Sequence, residues 1–239
     1  MRFSLSTASL SGPTALLLGL LLSAGSWADD WRQIRSAAER TDVSTWVRPV
    51  AGNPLNAFRG QTEVPYPMLT AIAVLSDIER FPEWVFQCHA AKLLPEFGED
   101  LAYIEIKGIW PVSDRDGVAR TTIHQEPDTL ITTIRSVAAP DIVDEVPGTV
   151  RIPQLENQFV FEPLADGWTR ITFETQVDPG GMIPAWLANF VATRAPLTTL
   201  QKMQQQMKDS RYHLESSDQL PVQLPGTAAM TFPGGPPIR

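Results

Sequence analysis

Asp178-Pro179-Gly180-Gly181-Met182-Ile183-Pro184-Ala185-Trp186-Leu187 is where the chain changes its period. Upstream, from Lys92 to Val177, apolar residues recur in the short alternating runs of β-strands. Downstream they recur at helical spacing. Gly180 and Gly181 supply the positive φ values needed to turn a strand into a helix at that point. From Ile183 to about Tyr212 the sequence predicts the longest helix. Its apolar stripe is broad: Ile183, Trp186, Leu187, Phe190, Val191, Leu197, Leu200, Met203 and Met207. Pro196 lies inside this helix and displaces the carbonyl of Ala192, so a kink is expected there.

Working back from the helix, strands are predicted over Trp168 to Val177, Asn157 to Phe161, Val150 to Ile152, Thr129 to Val137, Val118 to Gln125 and Leu101 to Trp110. Asp166-Gly167 is a hairpin turn between the first two of these. Consecutive strands joined by hairpin-length loops imply an antiparallel sheet. The fold class is therefore α+β, a curved antiparallel sheet wrapped around one long C-terminal helix. The gap between helix and concave sheet is the natural place for a ligand.

Further toward the N-terminus, Ala57 to Val64 and Ser44 to Val50 read as strands around the turn Gly52-Asn53-Pro54. Met68 to Ile78 reads as a helix. Phe81, Trp84 and Phe86 lie in a compact aromatic stretch, with Pro82 in the first turn of a short helix. Trp31 to Arg40 has Trp31, Ile34, Ala37 and Ala38 at helical spacing and predicts an amphipathic helix. After Leu214 the chain turns polar and then Pro/Gly-rich, and residues 214–239 are expected to be a disordered tail. The globular domain is expected over 29–213.

Met1 to Ala28 has the three regions of a cleavable export signal: Arg2, an apolar run from Ala15 to Leu22, and Ser26-Trp27-Ala28 before Asp29-Asp30. The apolar run is shorter than the ~20 residues that span a bilayer. Loss of Arg2 leaves 18 basic residues against 27 acidic ones, a net charge near −9. That balance argues against bulk-charge binding of nucleic acid or an anionic membrane surface. The single cysteine, Cys88, permits no internal disulfide. No Asn-x-Ser/Thr site occurs. A periplasmic or secreted bacterial protein, most simply a monomer, is expected.

Three motifs, in order, resemble those of the START (StAR-related) lipid-transfer domain, within the helix-grip, Bet v 1-like superfamily. The first is Asp77-Ile78-Glu79-Arg80-Phe81-Pro82-Glu83-Trp84, similar to the family's helical segment ending in Trp. The second is Trp110-Pro111-Val112-Ser113-Asp114-Arg115-Asp116, which looks like its aromatic-Pro-x-x-x-Arg-Asp signature. The third is the 178–187 stretch itself. The resemblance spans about Trp31 to Tyr212. It implies a nine-stranded sheet gripping the C-terminal helix over an apolar tunnel for one lipid, with no cofactor and no metal. It also implies a role in binding or carrying lipid, with transient membrane contact, rather than in transforming it.

Arg115 is the sharpest site candidate. The resemblance places the arginine of this motif at the head-group end of the tunnel in phospholipid-binding members, where paired hydrogen bonds would hold a phosphate or carboxylate. The competing reading is a structural arginine locked to Asp114 or Asp116. Arg120 and Arg151 lie within strand-like segments. Pointing inward, either would need a partner such as Glu105 or Glu126; pointing outward, each is a solvated surface charge. Tyr103 and His124 are candidates of the same kind, and Phe190 and Leu197 are candidates for the apolar wall. His89, His124 and His213 have no metal-ligand spacing, and no Gly-x-Ser-x-Gly elbow occurs. Cys88 is expected to be a buried structural thiol. A helix-grip enzyme of the cyclase or aromatase kind is the alternative function, and recruitment of a partner by the tail is a third.

Overall fold

The computed structural model describes residues 31–233, so the export signal expected over 1–28 lies outside the described residues. Among the described residues, ten strands form one sheet. Nine follow the order β1 (Arg32–Arg35), β2 (Ser44–Arg48), β3 (Ala57–Val64), β10 (Thr169–Asp178), β9 (Gln154–Pro163), β7 (Thr132–Ala138), β6 (Arg115–Gln125), β5 (Leu101–Ile106), β4 (Cys88–Leu93). Those nine pair antiparallel throughout. The short β8 (Val150–Arg151) runs parallel to the start of β6. The architecture is the α+β helix grip expected from the sequence.

The strand pleat sorts the core. In β9 and β10 the inward residues Phe159, Phe161, Ile171 and Phe173 are buried. Phe159 stacks on Phe173 at 4.6 Å between ring centroids. Register pairs Phe159 with Phe173 and Asn157 with Thr175, so the inward face changes from aromatic to polar one pleat along. The Asp166-Gly167 turn forms as expected, with Gly167 at φ +82°.

Two short helices close one side of this face. α1 (Met68–Ser76) is buried almost all round, in keeping with apolar residues on every face of it. α2 (Phe81–Trp84) carries Pro82 in its first turn and delivers Trp84 into the core, edge-on to Phe81 and Phe159.

The gripped element is α3 (Ala185–Gln206), one continuous helix with Pro196 inside it. It lies so close to β3 that a Cβ on Gly60 would sit 2.8 Å from Leu200 Cδ1 and 3.0 Å from Pro196 Cβ. Glycine at position 60 is what lets helix and sheet touch there. Upstream, Gly180 and Gly181 adopt φ of +67° and +66°, as the strand-to-helix turn demanded.

Three expectations change. Trp31 to Arg40 is not helical: Arg32–Arg35 is the exposed edge strand β1, paired with β2. A lone helix of about ten residues is marginal in water, so pairing to an existing strand outweighs the local helical spacing. Trp31 instead packs its ring under Arg48 and Arg59. Strand structure begins at Cys88, in β4, rather than at Lys92; a register shift lies between Cys88 and Ala90, and Cys88 is buried while His89 is exposed. Finally, Leu214 to Pro233 is not a loose tail. Leu220, Leu224, Thr227 and Met230 are buried in it, and Gln125 exchanges two hydrogen bonds with the Thr231 backbone at 2.8 and 2.9 Å. Its prolines separate short 3₁₀ turns, and its spaced apolar residues find sites on the domain that composition cannot reveal.

Candidate functional site

Between the concave sheet and α3 lies a cavity of about 230 Å³. Its walls are Phe58, Phe173 and Val177 from the sheet, Ile109 and Val112 from the loop after β5, and Leu187, Ala188 and Val191 from α3. A second chamber of about 120 Å³ adjoins it, and Val85, Ile104, Leu155, Asn157, Phe173 and Thr199 border both. The two chambers thus share part of their lining.

Arg115 reaches this cavity because β6 begins with it, and the pleat turns residues 115, 117, 119, 121 and 123 inward. Its side chain is buried, 6% exposed, among apolar walls. Nη1 donates to the Ser113 carbonyl and Nη2 to the Gly180 carbonyl at 3.3 Å, while Nε has no protein partner. Asp114 is engaged elsewhere, its Oδ1 accepting the Gly108 N–H at 2.7 Å. Burial pulls the Arg115 pKa below its usual value, and Asp114 offsets this in part. The guanidinium is thus tied to two backbone carbonyls, and neither Asp114 nor Asp116 locks it in an ion pair. A buried cation with an unbonded N–H favours an oxygen-bearing anion or dipole beside it.

The loop that completes this end is tightly turned. A Cβ on Gly108 would meet the Val112 and Ser113 carbonyls at 2.3 Å, so only glycine fits. Gly180 both accepts from Arg115 and packs against β8, which ties the head of α3 to the motif on β6.

The other sequence candidates lie elsewhere. Arg120 faces solvent, half exposed, and bonds Asp100 on the outer face of the sheet. His124 is 71% exposed beside Glu126. Tyr103 borders the second chamber and is absent from the lining of the first, and it packs in a cluster with Leu94, Leu101 and Val118. Its hydroxyl donates to Glu105 at 3.2 Å, and burial pushes its pKa up. Arg151 is buried, though not in the cavity. It pairs with Asp116, rather than Glu105 or Glu126, on the outer side of β6. Phe190 is half exposed and reaches only the cavity-lining Phe86, at 6.4 Å between centroids. Leu197 packs into the main core without bordering either chamber. Of these candidates, Arg115 alone presents its side chain to the cavity.

Sequence reasoning passed over Asn157, Thr175 and Thr199. All three line the cavity. Thr175 Oγ1 donates to Asn157 Oδ1 at 3.0 Å, and Thr199 Oγ1 accepts the Phe86 N–H at 3.1 Å. A signal existed: Asn157 and Thr175 are the polar interruptions of the inward rows Leu155-Asn157-Phe159-Phe161 and Ile171-Phe173-Thr175-Val177.

Comparison with known proteins agrees with this geometry. The model of the START domain family matches residues 14–211. A crystal structure of a STAR-related lipid transfer protein from Xanthomonas axonopodis superposes with a TM-score of 0.67. It is 31% identical and covers 76% of this chain and 100% of its own. Human StAR-related lipid transfer protein 5 shares the fold with a TM-score of 0.63 at 17% identity, over 78% of this chain and 89% of its own. An uncharacterized protein of Pseudomonas aeruginosa is 34% identical over 175 residues, 72% of this chain and 84% of its own. The chain belongs to the START domain family.

Proposed function

We propose that this protein binds a single amphipathic lipid in the channel between sheet and α3, with the polar head at Arg115, and carries it through an aqueous compartment after export. The observation that carries the reading is Arg115: a buried guanidinium with an unpartnered Nε in a mostly apolar cavity. Such a cation costs free energy unless a ligand oxygen completes its bonding. Asn157 and Thr175 add polar groups deeper in the same cavity. The expected export signal supports a bacterial periplasmic or secreted carrier, since apolar molecules do not cross water unaided.

The mouth supports loading from a membrane. Trp110, Met182 and Trp186 are 86%, 94% and 58% exposed. They adjoin the cavity-lining residues Ile109, Val112, Ile183 and Leu187 in sequence. Exposed aromatic and thioether side chains next in sequence to cavity-lining residues suit the interfacial zone of a bilayer. The net charge of −8 favours a zwitterionic over an anionic surface.

Mass spectrometry of the purified protein, followed by uptake of palmitic acid, tests the reading. Copurified lipid and saturable uptake are expected. Arg115→Gln should weaken fatty-acid binding by about tenfold to a hundredfold, the worth of a charged hydrogen bond in a buried site, with Arg115→Lys intermediate. A protein that purifies empty and takes up neither fatty acid, phospholipid nor sterol overturns it.

A further inference from the structure

We infer that the C-terminal segment Leu214–Pro233 is part of the ligand site, and that Leu224 sets the length of hydrocarbon the channel accepts. The segment lies beyond residues 14–211, which match the family model. Leu224 is buried, and it lines the second chamber and not the first.

The segment is held at several points. Leu220 and Met230 are buried in the main core, and Leu214 and Phe232 pack against it. Gln125 clasps the Thr231 backbone through both its amide atoms. Gly226, at φ +100°, crosses β6 at Ile123, where an added Cβ would lie 3.5 Å from Ile123 Cβ.

β6 serves as a ruler for the channel. Its inward residue Arg115 borders the first chamber, Ala119 and Thr121 border the second, and Ile123 meets the C-terminal segment. The six residue-to-residue steps of strand from Arg115 to Thr121 span about 20 Å, the reach of an extended long-chain acyl group. A head group at Arg115 would therefore send its chain past Phe173 and Leu155 toward Leu224. This inference rests on the lipid reading above, and it names the ligand more narrowly as a long single-chain amphiphile.

Affinities for lauric, myristic, palmitic and stearic acids, measured on the full chain and on Leu224→Ala, Leu224→Met and Leu224→Trp, test it. In the wild type, affinity should rise about fourfold for each added methylene that is buried and then level off. Leu224→Ala should move that plateau to longer acids and Leu224→Trp to shorter ones. Leu224→Met, similar in length, should leave it in place. Thermal unfolding identifies any variant that has lost its fold. Uptake with the same plateau in folded Ala and Trp variants overturns the inference while sparing the lipid reading. No uptake of any acid by the wild type overturns both.

Discussion

Arg151 Nη2 lies 2.8 Å from Asp116 Oδ2, and both side chains are almost wholly buried, at 6% and 0% exposure. The same guanidinium donates to the carbonyls of Pro140, Val143 and Asp144 at 2.5 to 2.9 Å. One residue on the two-residue strand β8 thus pins the 140–144 segment to β6. The two arginines at this end divide the work. Arg151 completes the outer face, and Arg115, one residue before Asp116 and on the opposite face of the pleat, is left for the cavity.

Breaking that pair should be costly. Arg151→Met leaves a buried carboxylate without its counter-charge, for a loss of about 3–5 kcal/mol in denaturant unfolding. The double variant Asp116→Leu/Arg151→Met removes both charges and should recover a substantial part of the loss. A single variant with wild-type stability would show that the pair is not structural.

Stability should also depend on acid. Burial raises the Asp116 pKa, but Arg151 outweighs it, and the carboxyl ends below its ordinary value. Glu63, between Arg40 and Arg170, is likewise lowered against the opposing effect of burial. A group with a depressed folded pKa contributes its stability above the unfolded value, near 4, and loses it as pH falls through the folded value. Unfolding midpoints should therefore be level above about pH 5 and fall below about pH 4. Glu63→Gln should lower the plateau and shallow the acid limb; an unchanged limb would count against it.

Gly60→Ala should cost about 1–3 kcal/mol by overpacking. The added methyl meets Leu200, which can turn aside, and the Pro196 ring, which is rigid. A neutral substitution, read by thermal unfolding, would mean that α3 can lift from β3.

Cys88 should behave as an inert thiol. Burial is the main cause that pushes it up to about 12, and Glu105 adds to the effect. At pH 8 only about one molecule in ten thousand carries the thiolate. Alkylation by iodoacetamide should be slow in the native protein and fast in denaturant. Rapid native labelling would show that β4 opens readily.

Met182→Ser/Trp186→Ser should reduce cosedimentation with phosphatidylcholine vesicles several-fold without shifting the unfolding midpoint, since both side chains are exposed. Equal sedimentation would move the membrane contact away from this mouth.

Several elements were legible in the sequence for local reasons. A period-2 run, the Gly180-Gly181 turn and the long apolar stripe each report a conformation set by neighbours a few residues away. They led directly to β10, the turn and α3. Together with three spaced motifs they were enough to name the fold and its family, and to single out Arg115.

What the sequence could not decide depends on partners far along the chain. The 32–35 segment became a strand because β2 offers it an edge. Arg120 and Arg151 read alike, yet one lies in solvent beside Asp100 and the other is buried on Asp116. Asn157 and Thr175 became a cavity pair through the β9–β10 register. The final stretch, disordered by composition, became a wall of the second chamber because Leu220, Leu224 and Met230 meet apolar surface assembled by the rest of the fold. Short-range patterning sets which element forms. Burial, partner choice and the outline of the cavity come from contacts a hundred residues apart, and those exist only once the sheet has closed around α3.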